Sequence, residues 1–421
     1  MNAGKTPLFS SPFERISGDL NDVEDVGNEV SDLNELGLRS DYRETVWKAV
    51  QGWYRTGTQP FVSLCIRRRG ELTVNRSIGH SHGTWSINGM ASDAQVGSVD
   101  TPVGVFSASK ALTALLIHGL AEENLIDLDQ RVAHYLPEFA CNGKQSITVS
   151  QVLSHQAGIP VMPKHMPPET LFDYDQVVDV LMRGPIQRTV GRGTAYHAVS
   201  GGYILGAVAS KVTGQSLNQI LRKRIAVPLG LESMHYGATL NNQHRVATNY
   251  NTGRPLRWPL SQLVETALGA DWNTVIDLSN RKEFLSTIVP AGNAVGTANE
   301  WSTLMEILLN DGRVGEVKLF KSDTIKRATA FKAGSLIDGT LRVPSRFSEG
   351  FMLGSNPLSL FGPMTGQAFG HLGFINVFCW ADPARELSVA LLSTGKSLLG
   401  THLAELARAL WAINRVDRQR R

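Results

Sequence analysis

The sequence predicts an α/β fold in which an antiparallel sheet, flanked by terminal helices, lies beside a mostly helical subdomain. Strand-like apolar runs occur near both ends of the chain, whereas helix-like segments fill the middle. The economical arrangement is one sheet built from the two ends, with a helical insertion between its halves. The composition suits a large core, because 42% of the 421 residues are hydrophobic and 19% are charged.

Domain boundaries follow from this pattern. Residues 1–40 are expected to form an acidic, weakly ordered extension, since positions 16–38 hold seven Asp or Glu and no Lys or Arg. Residues 41–106 and 311–421 would form the α/β domain, and residues 107–310 the mostly helical subdomain. A functional cleft is expected where the two meet.

The α/β domain is predicted to open with a helix and a hairpin. Apolar residues at helical spacing predict a helix over residues 41–56. Strand-like runs at 61–67 and 72–79 flank the turn Arg69-Gly70-Glu71, so they are expected to pair.

Helices dominate the predicted middle segment. Residues 110–123 are helix-like, and a second helix over 202–213 is followed by Gly214, which is typical of a helix C-cap. The Pro-rich stretch 159–168 has no regular pattern, so it either lines a pocket or forms a plain surface loop.

The chain is predicted to end with strands and a helix. Apolar runs Val377–Trp380 and Leu387–Ser393 are separated by the turn residues Asp382-Pro383-Ala384-Arg385. A closing helix is expected over residues 398–413.

Charge and cysteine content narrow the functional classes. The formal charge of +3 is too small to imply nucleic-acid binding, and no apolar stretch approaches the length of a membrane span. Three widely spaced cysteines, Cys65, Cys141 and Cys379, do not indicate a disulfide scaffold. Because the N-terminus also lacks the apolar core of a secretory signal, we expect a cytoplasmic protein.

The first chemical motif is Ser107-Ala108-Ser109-Lys110 at the start of a predicted helix. Residues three apart share a helix face, so Lys110 can reach the Ser107 hydroxyl. A serine is a weak nucleophile until a partner takes its proton, and a lysine can do so only when its pKa is lowered. Ser107 could instead be an ordinary N-cap. A second copy, Ser393-Thr394-Gly395-Lys396, follows a strand and is interpreted as a strand end.

The second motif contains Tyr196, within Gly193-Thr194-Ala195-Tyr196-His197-Ala198. A tyrosine just before a helix is commonly a core aromatic. It could also be a phenol held beside a lysine, so that the two groups share the proton from serine.

The third motif is Gly370-His371-Leu372-Gly373-Phe374, which leads into a strand. On a Gly-bearing edge strand, backbone N–H groups can approach a substrate closely. One of them could complete an oxyanion hole with the Ser107 N–H. His235-Tyr236-Gly237 has the same pattern, so this motif is weak alone.

The order and intervals of the three motifs resemble those of serine β-lactamase-related proteins. The similarity is greatest to the branch of class C β-lactamases, D-aminopeptidases and family VIII carboxylesterases, over roughly residues 45–412. Supporting stretches are Gly119–Asp129, Thr148–Pro160, Pro228–Leu231 and Pro290–Gly292.

The resemblance implies a fold and a set of roles. The fold would be of the β-lactamase/transpeptidase type. Ser107 would be acylated, while Lys110 and Tyr196 would act as general base and acid. His371 and Gly373 would border the substrate, and the Phe374 N–H would be the second oxyanion donor.

Departures from the family pattern favour esters over lactams. Where β-lactamases typically carry an amide-binding Asn, this chain has Ala198, which cannot hydrogen-bond through its side chain. The Lys-Thr-Gly that would attract a carboxylate is here His371-Leu372-Gly373. The sequence therefore predicts a carboxylesterase acting on small or medium acyl esters, without metal or cofactor.

Alternatives remain open at this level. They are a β-lactamase, a D-amino-acid amidase or peptidase, an acyltransferase using the same acyl-enzyme, and a non-catalytic scaffold. The expected mechanism has Tyr196 as phenolate beside protonated Lys110, but coupled titration leaves open which of the two is the base. Neither the natural acyl and alcohol groups nor the oligomeric state follows from the sequence.

The remaining histidines are given structural roles. His155 is expected to brace a loop. Four others show no spacing typical of metal ligands: His80, His82, His165 and His244.

Overall fold

The computed structural model describes residues 13–86, 89–90, 94–163 and 166–416. The first twelve residues of the predicted acidic extension, and His165 within the Pro-rich stretch, lie outside the described residues.

The strands run in chain order as follows: β1 Glu24–Val26, β2 Phe61–Arg68, β3 Glu71–His82, β4 Trp85–Ser86, β5 Gly89–Met90, β6 Gln95–Val96, β7 Val103–Gly104, β8 His235–Tyr236, β9 Tyr250–Asn251, β10 Ala294–Gly296, β11 Arg313–Val314, β12 Val317–Lys318, β13 Ala333–Ser335, β14 Ser345–Phe347, β15 Met352–Leu353, β16 Phe369–Gly373, β17 Val377–Asp382, β18 Leu387–Ser393 and β19 Gly395–Lys396.

The α-helices are α1 Tyr42–Tyr54, α2 Ser109–Glu122, α3 Val132–Tyr135, α4 Val149–Leu153, α5 Tyr174–Arg183, α6 Ser200–Thr213, α7 Leu217–Leu221, α8 Val227–Leu229, α9 Leu260–Leu268, α10 Trp272–Ser279, α11 Lys282–Ser286, α12 Ala298–Leu309, α13 Ser322–Thr329 and α14 His402–Asn414. A π-helical turn, Arg222–Ala226, links α7 to α8, and short 3-10 turns occur at Asn21–Val23, Phe106–Ala108, Pro137–Phe139, Pro168–Phe172 and Gln243–Arg245.

The main sheet joins the two ends of the chain, as the sequence predicted. Its order is β1-β3-β2-β18-β17-β16-β15-β14-β13, and each neighbouring pair is antiparallel. The central contact pairs β18 with β2, placing Leu391 opposite Leu64. The predicted mixed α/β architecture is therefore confirmed.

Helices cover both faces of the sheet, which explains its continuous apolar strands. α1 packs against α14, while α12 packs across β2, β17 and β18. Every residue of β18 is buried, as expected for a strand with two covered faces. The sheet face beneath α12 shares its core with α2 and α6 of the helical region, so one continuous core joins the sheet to that region.

The acidic N-terminal segment differs from the prediction of weak order. Within its described part, β1 pairs with β3, and Leu20, Leu33 and Leu36 are buried against α1 and the sheet. The Glu29 carboxylate pairs with the guanidinium groups of Arg43, at 3.0 Å, and Arg76, at 2.9 Å. Spaced leucines and the basic residues of the folded domain thus fix a segment that its own charge suggested would be solvated.

None of the described helices has both the length and the apolar character needed to cross a bilayer.

Candidate active site

Ser107 lies in a tight turn that leads directly into α2. The turn begins with Phe106, whose φ of 48° is unusual for a residue with a side chain. Ser109 holds the turn in place, because its hydroxyl donates to the Phe106 carbonyl and accepts from the Ala294 N–H at 2.9 Å. Such backbone strain costs about 1–3 kcal/mol and is concentrated at functional sites.

Lys110 reaches Ser107 from the first turn of α2, as the spacing predicted. Its Nζ lies 3.3 Å from the Ser107 hydroxyl oxygen, 2.7 Å from the Ala198 carbonyl and 3.1 Å from the Ala291 carbonyl. Burial lowers the pKa of the Lys110 amine to about 7. A neutral amine can donate its two protons to the carbonyls and keep its lone pair for the serine proton.

Tyr196 is brought to the same place from the loop before α6. The Lys110 Nζ lies 4.8 Å from the centre of its ring. Its buried hydroxyl has no hydrogen-bond partner of normal geometry among the described residues. Burial raises the pKa of the phenol well above its usual value, and the nearby Ser107 hydroxyl lowers that pKa to a smaller degree. These directions favour a neutral phenol beside a neutral amine, unlike the phenolate and ammonium expected from the sequence.

Two residues that fix Tyr196 were not predicted to do so. The buried Asp338 carboxylate accepts from the backbone N–H of Tyr196 at 3.0 Å, and also from those of Thr340 at 2.8 Å and Leu341 at 2.9 Å. Asp338 was not among the predicted site residues, although Asp-Gly-Thr is typical of a turn because Asp commonly caps its own backbone. Nothing in the sequence linked that turn to a tyrosine more than a hundred residues away.

His155 is the second of these residues. Its ring lies 4.7 Å from the Tyr196 ring, and its Nδ1 accepts from the His197 N–H at 3.1 Å. Burial, reinforced by nearby His197 and Lys110, holds the pKa of His155 well below its usual value. The sequence predicted that His155 braces a loop, but it did not predict the contact of that ring with Tyr196.

The third motif forms β16 and the turn that follows it. Strand β16 is an inner strand and not the expected edge, but β15 pairs only with Phe369 and Gly370. A Cβ on Gly373 would come within 1.9 Å of the Val105 carbonyl oxygen, so glycine permits the backbone to approach the Ser107 turn. The Phe374 ring contacts Phe106, with centroids 5.1 Å apart.

His371 was predicted to border the substrate, but it is buried and does not line the cavity. It is 1% exposed, its ring lies 6.1 Å from that of Tyr196, and its Nδ1 is 2.7 Å from the Leu372 carbonyl. Burial, and then the charge of Lys110, lower the pKa of His371 to about 3. A neutral His371 ring therefore lies near the Tyr196 ring and helps to hold it in place.

A cavity of about 420 Å³ opens at Ser107. The Pro-rich stretch lines it, which answers the question left open by the sequence. Its lining is dominated by apolar side chains, and Glu265 is the charged one among the described residues. Residues of the site and the facing walls are Phe106, Ser107, Val161, Met162, Pro163, Met166, Pro167, Leu171, Phe172, Ala198, Leu268, Val275, Leu278, Phe284 and Phe374. Ser107 and Phe374 thus face the cavity, whereas Lys110, Tyr196, His371 and Gly373 are not among its lining residues.

The second Ser-x-x-Lys sequence also reaches this site. Strand β18 ends at Ser393, in agreement with its interpretation as a strand end, but the Lys396 side chain is fully buried. Its Nζ donates to the Ser393 carbonyl at 2.6 Å and lies 4.9 Å from the centre of the Phe106 ring. Burial lowers the pKa of Lys396 to about 7. Only the folded chain reveals that this lysine contacts the Ser107 turn.

Comparison with known proteins yields one family match. The family model described as Beta-lactamase matches residues 50–410. The chain is 28% identical over 306 residues to "Esterase/beta-lactamase LipL" of Mycobacterium tuberculosis, a match covering 70% of each protein.

Two solved structures are similar over most of the chain. A penicillin-binding protein homolog from Caulobacter crescentus is 27% identical, with a TM-score of 0.76 over 92% of this chain and 100% of the other. A family VIII carboxylesterase is 26% identical, with a TM-score of 0.75 over 89% of this chain and 98% of the other.

Proposed function

The chain belongs to the beta-lactamase family of serine hydrolases, and we propose that within this family it is a carboxylesterase whose nucleophile is Ser107. The observation that carries the proposal is the 3.3 Å contact between a buried Lys110 amine and the Ser107 hydroxyl, at the mouth of an apolar cavity. An amine of lowered pKa can accept a proton at neutral pH, which is what a serine nucleophile requires.

The proposed acylation step uses Lys110 as the base. Its neutral amine takes the Ser107 proton as the serine oxygen bonds to the ester carbonyl carbon. Negative charge collects on the former carbonyl oxygen, which the backbone N–H groups of Ser107 and Phe374 would stabilise. The bond to the alcohol oxygen then breaks, and that oxygen takes a proton delivered from Lys110 through Tyr196.

Deacylation repeats these steps with water as the nucleophile. Lys110 takes a proton from water as its oxygen attacks the acyl carbon, and the Ser107 oxygen leaves with that proton. The net reaction converts one ester and one water into an acid and an alcohol. A competing alcohol in place of water would give acyl transfer from the same intermediate.

Two features support an ester over a lactam. Ala198 and Leu372 stand where an amide-binding side chain and a hydroxyl would be expected. The cavity also offers no cationic side chain among its described lining residues, so a carboxylate on the acyl half of a substrate finds no partner there. Both features suit an apolar acyl group.

Amide or lactam hydrolysis is the second candidate. The M. tuberculosis relative is described as both an esterase and a β-lactamase, and the C. crescentus structure is described as a homolog of penicillin-binding proteins. The same acyl-enzyme chemistry would serve, with nitrogen as the leaving atom.

One comparison of substrates tests the proposal. We expect p-nitrophenyl butanoate to be hydrolysed, with mass spectrometry locating the trapped butanoyl group on Ser107, and nitrocefin to react much more slowly. Ser107→Ala should remove both activities. Ser393→Ala alters the serine of the other Ser-x-x-Lys sequence and should retain the acylation. Nitrocefin turnover equal to ester turnover would favour the second candidate, and unchanged ester turnover in Ser107→Ala would reject both.

A cytoplasmic location remains part of the proposal. The three cysteines carry no disulfide within the described residues, which suits a reducing compartment.

A further inference from the structure

A second cleft adjoins the active-site cavity and is cationic. It has a volume of about 420 Å³, and its charged lining residues among those described are Arg188 and Arg342. Three residues line both spaces, so single side chains separate the two: Val161, Gln262 and Thr266. A substrate held at Ser107 can therefore extend from one space into the other.

Arg188 is an exposed residue that lines the second cleft. Its backbone N–H donates to the Gly158 carbonyl at 3.0 Å, and the side chain of the preceding Gln187 bonds to both backbone groups of Val161, at 2.8 and 3.0 Å. A Cβ on Gly339 would lie 2.7 Å from the Arg188 guanidinium carbon. The guanidinium thus rests directly on the Gly339 backbone.

Arg342 occupies a strained position in the facing turn. Its φ is 61°, a left-handed conformation that side chains disfavour. Its backbone N–H donates to the Asp338 carbonyl at 3.1 Å, and the Asp338 N–H donates to the Val343 carbonyl at 2.9 Å.

Both guanidinium groups are available for a ligand. Neither Arg188 nor Arg342 forms an ion pair or side-chain hydrogen bond with a described residue. Arg327, by contrast, lies 2.9 Å from both the Glu349 and the Asp129 carboxylates. A planar guanidinium recognises carboxylate and phosphate oxygens in pairs.

The cleft adjoins the segment that carries Tyr196, because the turn with Arg342 is hydrogen-bonded to that segment. Asp338, in the turn that carries Arg342, binds the Tyr196 N–H at 3.0 Å, and the Gly339 N–H donates to the Thr194 carbonyl at 2.9 Å. In the proposed reaction the departing alcohol takes its proton through Tyr196. We propose that this cleft binds an anionic group, a carboxylate or a phosphate, on the alcohol half of the ester, while the apolar cavity holds the acyl half. This inference rests on the proposed esterase function.

Three butanoate esters test the inference. Their alcohols are 4-hydroxybenzoate, 4-hydroxyphenyl phosphate and the neutral 4-hydroxybenzamide. We would compare kcat/KM for each ester in the natural protein and in the Arg188→Gln, Arg342→Gln double variant, because that ratio cancels differences in leaving-group reactivity. We expect a fall of about tenfold for at least one anionic ester and less than about twofold for the neutral one.

The pattern of losses identifies the anion and can overturn the inference. A loss confined to the benzoate ester assigns a carboxylate, and one confined to the phosphate ester assigns a phosphate. Equal losses for all three esters, or none, would overturn the inference. Arg222→Gln, an exposed change that touches neither cavity, is the matched control.

A binding measurement separates this inference from the esterase proposal. Calorimetry on Ser107→Ala should show 4-hydroxybenzoate or 4-hydroxyphenyl phosphate binding more tightly than 4-hydroxybenzamide, with the advantage lost in the double arginine variant. If none of the esters is hydrolysed, the esterase proposal fails, whereas the binding measurement still tests whether the cleft prefers an anion. Equal binding of the three compounds would refute the proposed anion site.

Discussion

The side-chain nitrogen of Lys396 lies 4.9 Å from the centre of the Phe106 ring, one residue before Ser107. A buried lysine from β19, the short strand just after β18, thus lies against the strained turn that presents the hydroxyl. Below its lowered pKa of about 7 the Lys396 amine is protonated, and a cation over an aromatic ring contributes about 0.5–2 kcal/mol, depending on its exposure to water. Two buried lysines therefore lie at the Ser107 turn, Lys110 beside the hydroxyl and Lys396 beside the Phe106 ring.

Replacing Lys396 with methionine should reduce activity by loosening this turn. We expect kcat for p-nitrophenyl butanoate to fall about fivefold to thirtyfold, the rate equivalent of about 1–2 kcal/mol. Lys144→Met is the matched control, because Lys144 is also fully buried and its Nζ lies 5.2 Å from the centre of the Phe139 ring. Equal kcat values in the two variants would show that the Phe106 contact has no catalytic effect.

The pH dependence should report the Lys110 amine. Its pKa is lowered to about 7, and only the neutral form can take the Ser107 proton. We therefore expect kcat/KM for a neutral ester to fall about tenfold per pH unit below 7 and to level off above it. The measurement is a profile from pH 5 to 9.

Tyr196→Phe separates the two candidate bases. If Lys110 is the base, the residual kcat/KM of this variant should still show the acidic limb, the fall below pH 7, since the phenol is not required for that ionisation. Loss of the limb in this variant, or a profile that stays flat down to pH 5, would contradict the assignment.

Asp338 should act as a positioning residue for Tyr196. Asp338→Ala leaves the N–H groups of Tyr196, Thr340 and Leu341 without their acceptor, and each unsatisfied buried group costs about 1–3 kcal/mol. We expect lower stability and a fall in kcat of about tenfold or more, with KM little changed. Asp338→Asn keeps an acceptor oxygen and should restore most of kcat.

Asp382→Ala provides the comparison for Asp338. This carboxylate is also fully buried and caps a turn, at the Ala384 N–H, but it pairs with Arg385 at the end of β17. It should lower stability without changing kcat in the folded fraction. If both alanine variants lower kcat alike, Asp338 has no special link to Tyr196.

Adding one methyl group at Gly373 should displace the oxyanion-side backbone. In Gly373→Ala the new Cβ would meet the Val105 carbonyl oxygen at 1.9 Å, so backbone must move. We expect kcat to fall about 100-fold, comparable to the loss of one oxyanion donor. In Gly52→Ala the Cβ meets only the end of the Glu405 side chain, at 3.2 Å, and a helical alanine should leave activity intact. Full activity in Gly373→Ala would show that the backbone position at the end of β16 does not affect catalysis.

Local sequence predicted what local geometry decides. The contact between Ser107 and Lys110 follows from helical spacing, and the strand Leu387–Ser393 was predicted with its observed bounds because its apolar run is continuous. The ends of α2, by contrast, lie one residue before the predicted ones, at Ser109 and Glu122, because local sequence specifies helix ends less strictly than helix interiors.

Contacts between distant segments could not be predicted in this way. No sequence pattern connected Asp338 with Tyr196, and none indicated that Lys396 would be buried beside Phe106. The segment around Glu29 was misjudged because its partners, Arg43 and Arg76, lie in α1 and β3. In each case the deciding partner is remote in sequence, so no local pattern contains it.

The pairing of β18 with β2 governs how this chain can acquire its structure. Leu64 cannot pair with Leu391 until the ribosome has synthesised the whole of the intervening segment. Until then β2 and β3 present an open hairpin edge that other chains can bind. A protein shortened at its C-terminus loses the middle of its sheet rather than a separable module, and we expect such fragments to aggregate or require a chaperone.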